Sequence, residues 1–98
     1  MVRFYWTYIL RCSDGSYYVG ITNNMDQRLE QHQSGTDSGA YTFTRRPVEL
    51  VYQNMSMTPD AAIELEKKLK GWSRAKKEAL INGEFELLQK LSKKKFNK

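Results

Sequence analysis

The sequence predicts an α+β fold, a small three-stranded, mostly antiparallel sheet flanked by helices in the order β-β-α-β-α-α. Three observations carry that expectation. Two runs rich in aromatic and β-branched residues, Phe4 to Cys12 and Tyr17 to Thr22, lie on either side of Ser13-Asp14-Gly15, a hairpin signal. Asn24 and Thr58 each stand where a helix cap is needed, ahead of residues with helical spacing. A third alternating run, Val48 to Asn54, lies between the two helical segments.

The hairpin can close in two ways. A two-residue Asp14-Gly15 turn pairs Tyr8 with Ile21 and puts Tyr8 and Tyr18 on opposite faces. A three-residue loop, with Gly15 left-handed in a G1 bulge, pairs Cys12 with Ser16. Tyr8 then lies opposite Gly20 and Leu10 opposite Tyr18, so both tyrosines share one face as diagonal neighbours. The second register is the one expected, because the chemistry developed below needs both hydroxyls together.

Asn24 caps a helix from Met25 to about Gln33, with Gln27 at the third position of a capping box. Met25 and Leu29 face the core, and Arg28 and His32, four apart, share a neighbouring face. Ser34 to Pro47 carries glycines and hydroxyl residues and reads as a long loop. In the third strand Val48, Leu50 and Tyr52 are expected on one face. Thr58 caps the second helix, with Pro59 at its first position and Ala62, Leu65, Leu69 and Trp72 as its apolar stripe. A third helix is expected over Arg74 to Asn82, with Ala75, Ala79 and Leu80 inward. Gly83 breaks it. Residues 1–83 form the expected domain, and residues 84–98 a basic C-terminal extension, either a short helix or a flexible tail.

Composition narrows the function classes. The chain has 98 residues, enough for one domain. No apolar run approaches the length that crosses a bilayer. No apolar stretch with a small-residue cleavage site follows the N-terminus, so no signal peptide is expected. Cys12 is the lone cysteine, which excludes an internal disulfide and suggests a reducing, cytoplasmic setting. One Cys and one His leave no basis for a structural zinc site. The net charge of +5 is unevenly placed. Residues 1–65 hold five basic residues against seven acids, whereas eleven basic residues face three acids from Lys67 onward. Such a block attracts a polyanion, although a solvated helix face with a basic tail has the same composition.

Tyr8, Tyr18, Arg28, His32 and Glu66 stand out. Singly, each has an ordinary structural explanation: strand aromatics, a solvated arginine, a structural histidine, a Glu66–Lys70 surface pair. Together, in this order and spacing, they resemble the GIY-YIG nucleases. Tyr8, within Trp6-Thr7-Tyr8, matches the tyrosine ending the GIY element, and Tyr18-Val19-Gly20 matches YIG. Arg28 matches the helix arginine, His32 the residue one turn later, and Glu66, in Ala62-Ile63-Glu64-Leu65-Glu66, the metal-binding glutamate. Gly20-Ile21-Thr22, Arg45-Arg46-Pro47 and Trp72-Ser73-Arg74 are similar to the small stand-alone bacterial proteins of this type. The resemblance spans about residues 4–82. Trp6 and Thr7 depart from the Gly and Ile of the family name. Ile21 excludes a lysine base directly after YIG, and no Pro-x-x-Asn ending follows the Glu66 helix.

The resemblance implies a divalent-metal-dependent endonuclease with one Mg²⁺ or Mn²⁺ ion on Glu66, a hard oxygen ligand. It implies Arg28 on a non-bridging phosphate oxygen, Tyr8 helping to deprotonate the attacking water, and Tyr18 orienting water or phosphate. A free tyrosine titrates near roughly 10, so Tyr8 needs help to act as a base. His32 either assists proton transfer or holds Tyr8. Arg45, Arg46, Lys70, Arg74, Lys76 and Lys77 are the expected phosphate contacts. DNA is the expected partner, with RNA as a second candidate. No organic cofactor or membrane is expected, and the protein is expected to be a monomer or weak dimer. With no attached recognition domain, cutting is expected to be structure-selective or non-specific. Two rivals are a nucleic acid binding module without catalysis and a protein-interaction domain with a basic tail. A Cys12–His32 nucleophile lacks a third orienting group.

Overall fold

Gly15 has a φ of 85°, and the Cys12 N–H donates to the Ser16 carbonyl at 2.8 Å. The hairpin therefore closes with the three-residue loop, and β1 (Tyr5–Arg11) pairs antiparallel with β2 (Tyr17–Thr22). Tyr8 lies opposite Gly20 and Leu10 opposite Tyr18, the register expected. The computed structural model describes residues 3–93. Its sheet is completed by β3 (Glu49–Ser56), in the order β2-β1-β3, with both pairings antiparallel.

Three helices follow their sequence signals, and a fourth forms in the C-terminal extension. In α1 (Met25–Ser34) the Asn24 side chain accepts from the Gln27 N–H, which ties down one of the otherwise unpaired first-turn donors. In α2 (Pro59–Lys70) Thr58 does the same for Ala61, and Pro59 sits where no intrahelical donor is needed. Ser73 caps α3 (Arg74–Ile81). α4 (Phe85–Lys93) packs on α3 and leaves Phe85 and Leu87 exposed. The Lys94-Lys95 part of the basic run lies outside the described residues.

The two faces of β1 separate two apolar clusters. Tyr8, Leu10 and Cys12 pack with Met25 and Leu29 of α1 and with Val48 and Leu50. Ile9 and Val19 pack on the other face with Leu65 and Leu69 of α2, Trp72, and Leu80 and Ile81 of α3. Ile9 and Leu69 are fully buried. Truncating either to alanine costs about 2–5 kcal/mol, from lost transfer energy plus the cavity left behind. Thr7, also buried, satisfies its hydroxyl on the Ala62 carbonyl of α2 at 3.0 Å.

Three expectations are corrected. Val48, Leu50 and Tyr52 do not share a face. Ile9 pairs with Tyr52 but Leu10 with Leu50, so Val51 is an extra residue that turns Tyr52 to the Ile9 side. Ala75 is exposed, and Ile81 packs inward beside Leu80. The segment from Ser34 to Pro47 is not wholly irregular: its end holds a short 3-10 turn, Phe43–Arg45, that carries Thr42 against α1.

Candidate active site

Tyr8 sits at the centre of the middle strand, with its ring directed to the α1 side and fully buried. The strand pairing opposes it to Gly20, and an added Cβ there would come within 2.6 Å of the Tyr8 hydroxyl oxygen. Real Cβ atoms do not approach that closely. Glycine is thus the residue that lets the phenol lie across β2. Tyr18, two residues away on the same face, places its ring centroid 6.3 Å from that of Tyr8.

α1 supplies the next layer. Its four-residue spacing brings Arg28 and His32 to the same phenol. The Tyr8 hydroxyl lies 2.9 Å from His32 Nε2, and Arg28 Nε donates to it at 3.4 Å. Arg28 Nη1 donates to Gln31 Oε1 at 3.1 Å. His32 is buried, and its Nδ1 lies 2.7 Å from the Thr42 hydroxyl, itself 1% exposed. Tyr18 touches the His32 ring edge-on at 5.2 Å and stacks with Tyr41 at 6.0 Å. Arg45 covers the outer face of Tyr41 at 3.9 Å and ion-pairs with Asp14 of the hairpin at 3.1 Å. This stack ties the loop carrying Thr42 to the β1–β2 turn.

These contacts set the protonation preferences. Burial pushes the Tyr8 hydroxyl above its ordinary value, the Arg28 hydrogen bond opposes that, and the charges of Tyr18 and Glu66 add to it. His32 is pushed below the ordinary histidine value by burial and by the Arg28 charge, so it is neutral at neutral pH. Arg28 is raised by its hydrogen bond to Tyr8 and stays charged.

Tyr8, Tyr18, Arg28 and His32 are thus brought into one constellation. Glu66 is on α2 and reaches Tyr8 through its charge. Its carboxylate ion-pairs with Lys70 at 3.1 Å, and its side chain is only 19% exposed. Among the described residues no group of three His, Cys, Asp or Glu side chains forms a metal cage. A lone carboxylate suits a small hard cation that keeps most of its waters, and does not suit zinc or calcium. Glu66 therefore fits as the protein ligand of such an ion, with Lys70 as the cation it now faces.

The expected phosphate contacts are distributed more widely. Arg46 donates to the Phe43 carbonyl at 2.9 Å and lies over the Phe43 ring. Arg74 donates to the Gly15 carbonyl at 2.7 Å and pairs with Glu78 at 3.0 Å. Lys76 lies over Trp72 at 4.5 Å. Lys77 is half-buried on α3. Thr42, Tyr41 and Gln31 join the site without any signal in the sequence. A hydroxyl or tyrosine in an aperiodic loop reads as a turn residue, and only the tertiary fold places it.

The GIY-YIG catalytic domain family model matches residues 4–79. A UPF0213 protein of Bacillus pumilus is 43% identical over 77 residues, covering 79% of this chain and 78% of that protein. A UPF0213 protein of Staphylococcus aureus strain N315 is also 43% identical over 77 residues, covering 79% of this chain and 93% of that protein. Two solution NMR structures are similar. The UPF0213 protein BH0048 from Bacillus halodurans is 40% identical with a TM-score of 0.53, over 81% of this chain and 83% of that one. Protein EF2693 from E. faecalis is 34% identical with a TM-score of 0.58, over 89% of this chain and 93% of that one.

Proposed function

Since the chain belongs to the GIY-YIG catalytic domain family, we propose that it is a divalent-metal-dependent endonuclease that hydrolyses phosphodiester bonds in DNA. The observation that carries this reading is the buried Tyr8 hydroxyl, held by His32 at 2.9 Å and Arg28 at 3.4 Å. A core phenol fixed by an imidazole and a charged guanidinium is arranged for proton transfer next to an anion.

Each residue has a role set by its chemistry. Arg28 is charged and offers planar donors to a non-bridging phosphate oxygen, where charge builds during displacement. The Tyr8 hydroxyl helps to deprotonate the attacking water, passing its own hydrogen to His32 Nε2 as it takes the water's, and Tyr18 orients that water or the phosphate. Neutral His32 fixes the Tyr8 oxygen. Glu66 would hold one Mg²⁺ or Mn²⁺ ion, which supplies positive charge to the phosphoryl and leaving oxygens when bound. Arg45, Arg46, Lys70, Arg74, Lys76 and Lys77 contribute the electrostatic attraction for the backbone and carry no base readout. Cutting is accordingly structure-selective or non-specific.

The Glu66–Lys70 ion pair favours one alternative, a nucleic acid binding module whose carboxylate is already neutralised by lysine. A cleavage assay separates the two. Labelled single-stranded, duplex, nicked and branched DNA, and an RNA control, are incubated with Mg²⁺, Mn²⁺ or EDTA. A nuclease cuts at least one substrate in a metal-dependent way and loses this in Tyr8→Phe. Salt-sensitive binding with no cutting of any substrate supports the binding module.

A further inference from the structure

The Tyr8–His32 contact continues into Thr42, and the three groups form one buried chain. Tyr8 is 0%, His32 4% and Thr42 1% exposed. The links are 2.9 Å at Nε2 and 2.7 Å at Nδ1, both within strong hydrogen-bond range. Among the described residues His32 is the one hydrogen-bond partner of the Thr42 hydroxyl. Thr42 and His32 border a cavity of about 200 Å³, also lined by Arg28, Gln31, Thr36 and Asp37. Six polar side chains border it, and it has room for several waters, each occupying about 30 Å³ of liquid volume.

The choice of a hydroxyl at Nδ1 matters. A carbonyl or carboxylate there would only accept, locking His32 with its proton on Nδ1. A hydroxyl donates or accepts, so both neutral tautomers are satisfied. The chain has three hydrogens for two links. One hydrogen must leave it, at the Tyr8 end or at the cavity end.

We propose that Tyr8, His32 and Thr42 form a proton relay that carries the proton of the attacking water from Tyr8 to the cavity that Thr42 borders. The inference rests on the nuclease reading and adds Thr42 as a positioning residue that acts through His32. Before transfer, Tyr8 O–H donates to Nε2, Nδ1–H donates to Thr42, and the Thr42 hydrogen points to a cavity water. The attacking water then gives a proton to the Tyr8 oxygen as the Tyr8 hydrogen moves to Nε2. The Nδ1 hydrogen moves to the Thr42 oxygen, and the Thr42 hydrogen goes to the cavity water. One hydroxide and one excess solvent proton result, and all three side chains end neutral. Tyr8 never exists as a free tyrosinate, which is consistent with burial disfavouring that form. The neutral state of His32 is the one the relay requires.

The test compares wild type with Thr42→Val, which keeps the shape but removes the hydroxyl, and Thr42→Ser, which restores it. In the metal-free protein, ¹⁵N spectra of His32 should show the Nδ1–H tautomer, the state before transfer, in wild type and Thr42→Ser. Thr42→Val should show the Nε2–H tautomer alone, because nothing then pairs a proton on Nδ1. In cleavage, Thr42→Val should lose about 100-fold in kcat with little change in KM, a typical loss for a proton-transfer group, while Thr42→Ser keeps most of the rate. The Nε2–H tautomer alone in wild type, or full-rate cleavage by Thr42→Val, overturns the relay and leaves the nuclease reading intact. The Nδ1–H tautomer in a wild type that cuts nothing would instead overturn the nuclease reading, and the relay would lose its reaction.

Discussion

Gly20→Ala tests the packing that shapes the site. The added methyl group would lie 2.6 Å from the Tyr8 hydroxyl oxygen, 2.7 Å from its ring carbon and 3.0 Å from Tyr18. Ordinary contact begins near 3.4 Å, so Tyr8 must retreat by almost 1 Å. It has little room to do so, being fully buried and bonded to His32 at 2.9 Å. Overpacking of this kind costs about 1–3 kcal/mol. For a domain of this size each kcal/mol lowers Tm by roughly 4–8 °C. The same displacement should break the His32 link and cost on the order of 100-fold in cleavage, as misplacement by 1 Å does elsewhere. Thermal melting checks the stability, and the His32 ¹⁵N signals check the hydrogen bond. Adding Tyr8→Phe removes the closest atom and should recover part of the lost stability but no activity. If Gly20→Ala melts at the wild-type temperature with the His32 signals unchanged, the close approach deduced for Tyr8 and Gly20 is wrong.

Three further outcomes follow from the same geometry. Arg28→Ala should lower kcat/KM by about 10²–10³-fold through loss of a preorganised donor, and should move the Tyr8 titration further up, measurable by ultraviolet absorbance. Lys70→Met should tighten Mn²⁺ binding in a calorimetric titration by no more than about fivefold, because the ion pair it removes is partly exposed and worth about 0–1 kcal/mol; weaker binding would place the ion elsewhere. Folded His32 resists protonation relative to the unfolded chain. Stability is therefore full above about pH 6.5 and declines as pH falls below it toward the lower folded value, the unfolded chain there binding the extra proton. In urea titrations His32→Asn should be less stable than wild type at pH 7 and flatter below pH 6.5.

Much of this was legible in the residues themselves. Ser13-Asp14-Gly15 left two hairpin registers, and the need to bring two tyrosines together selected the observed one. Asn24, Thr58 and Pro59 fixed helix starts because capping chemistry is local. Arg28 and His32 could be assigned to one site because helix geometry enforces their spacing. The bulge at Val51 was not legible, since apolar residues occupy both sides of it and hide the change of face. Ala75 is small enough to suit either environment, so its position in the sequence did not reveal its exposure. Arg45 and Arg46 look alike as charges, yet Arg45 clamps Tyr41 while Arg46 bonds to backbone carbonyls. Thr42 was hidden most completely, because its partner is ten residues away and no periodicity connects them.

The central claim is that Glu66 holds the ion that makes this site a nuclease. It is tested most directly by following cleavage of the preferred DNA across a Mg²⁺ and Mn²⁺ titration, with wild type beside Glu66→Ala and with DNA binding measured in parallel. Wild type should cut in a metal-dependent way, Glu66→Ala should lose cutting at every metal concentration, and the two proteins should bind DNA with near-equal affinity. Full metal-dependent cutting by Glu66→Ala would contradict it.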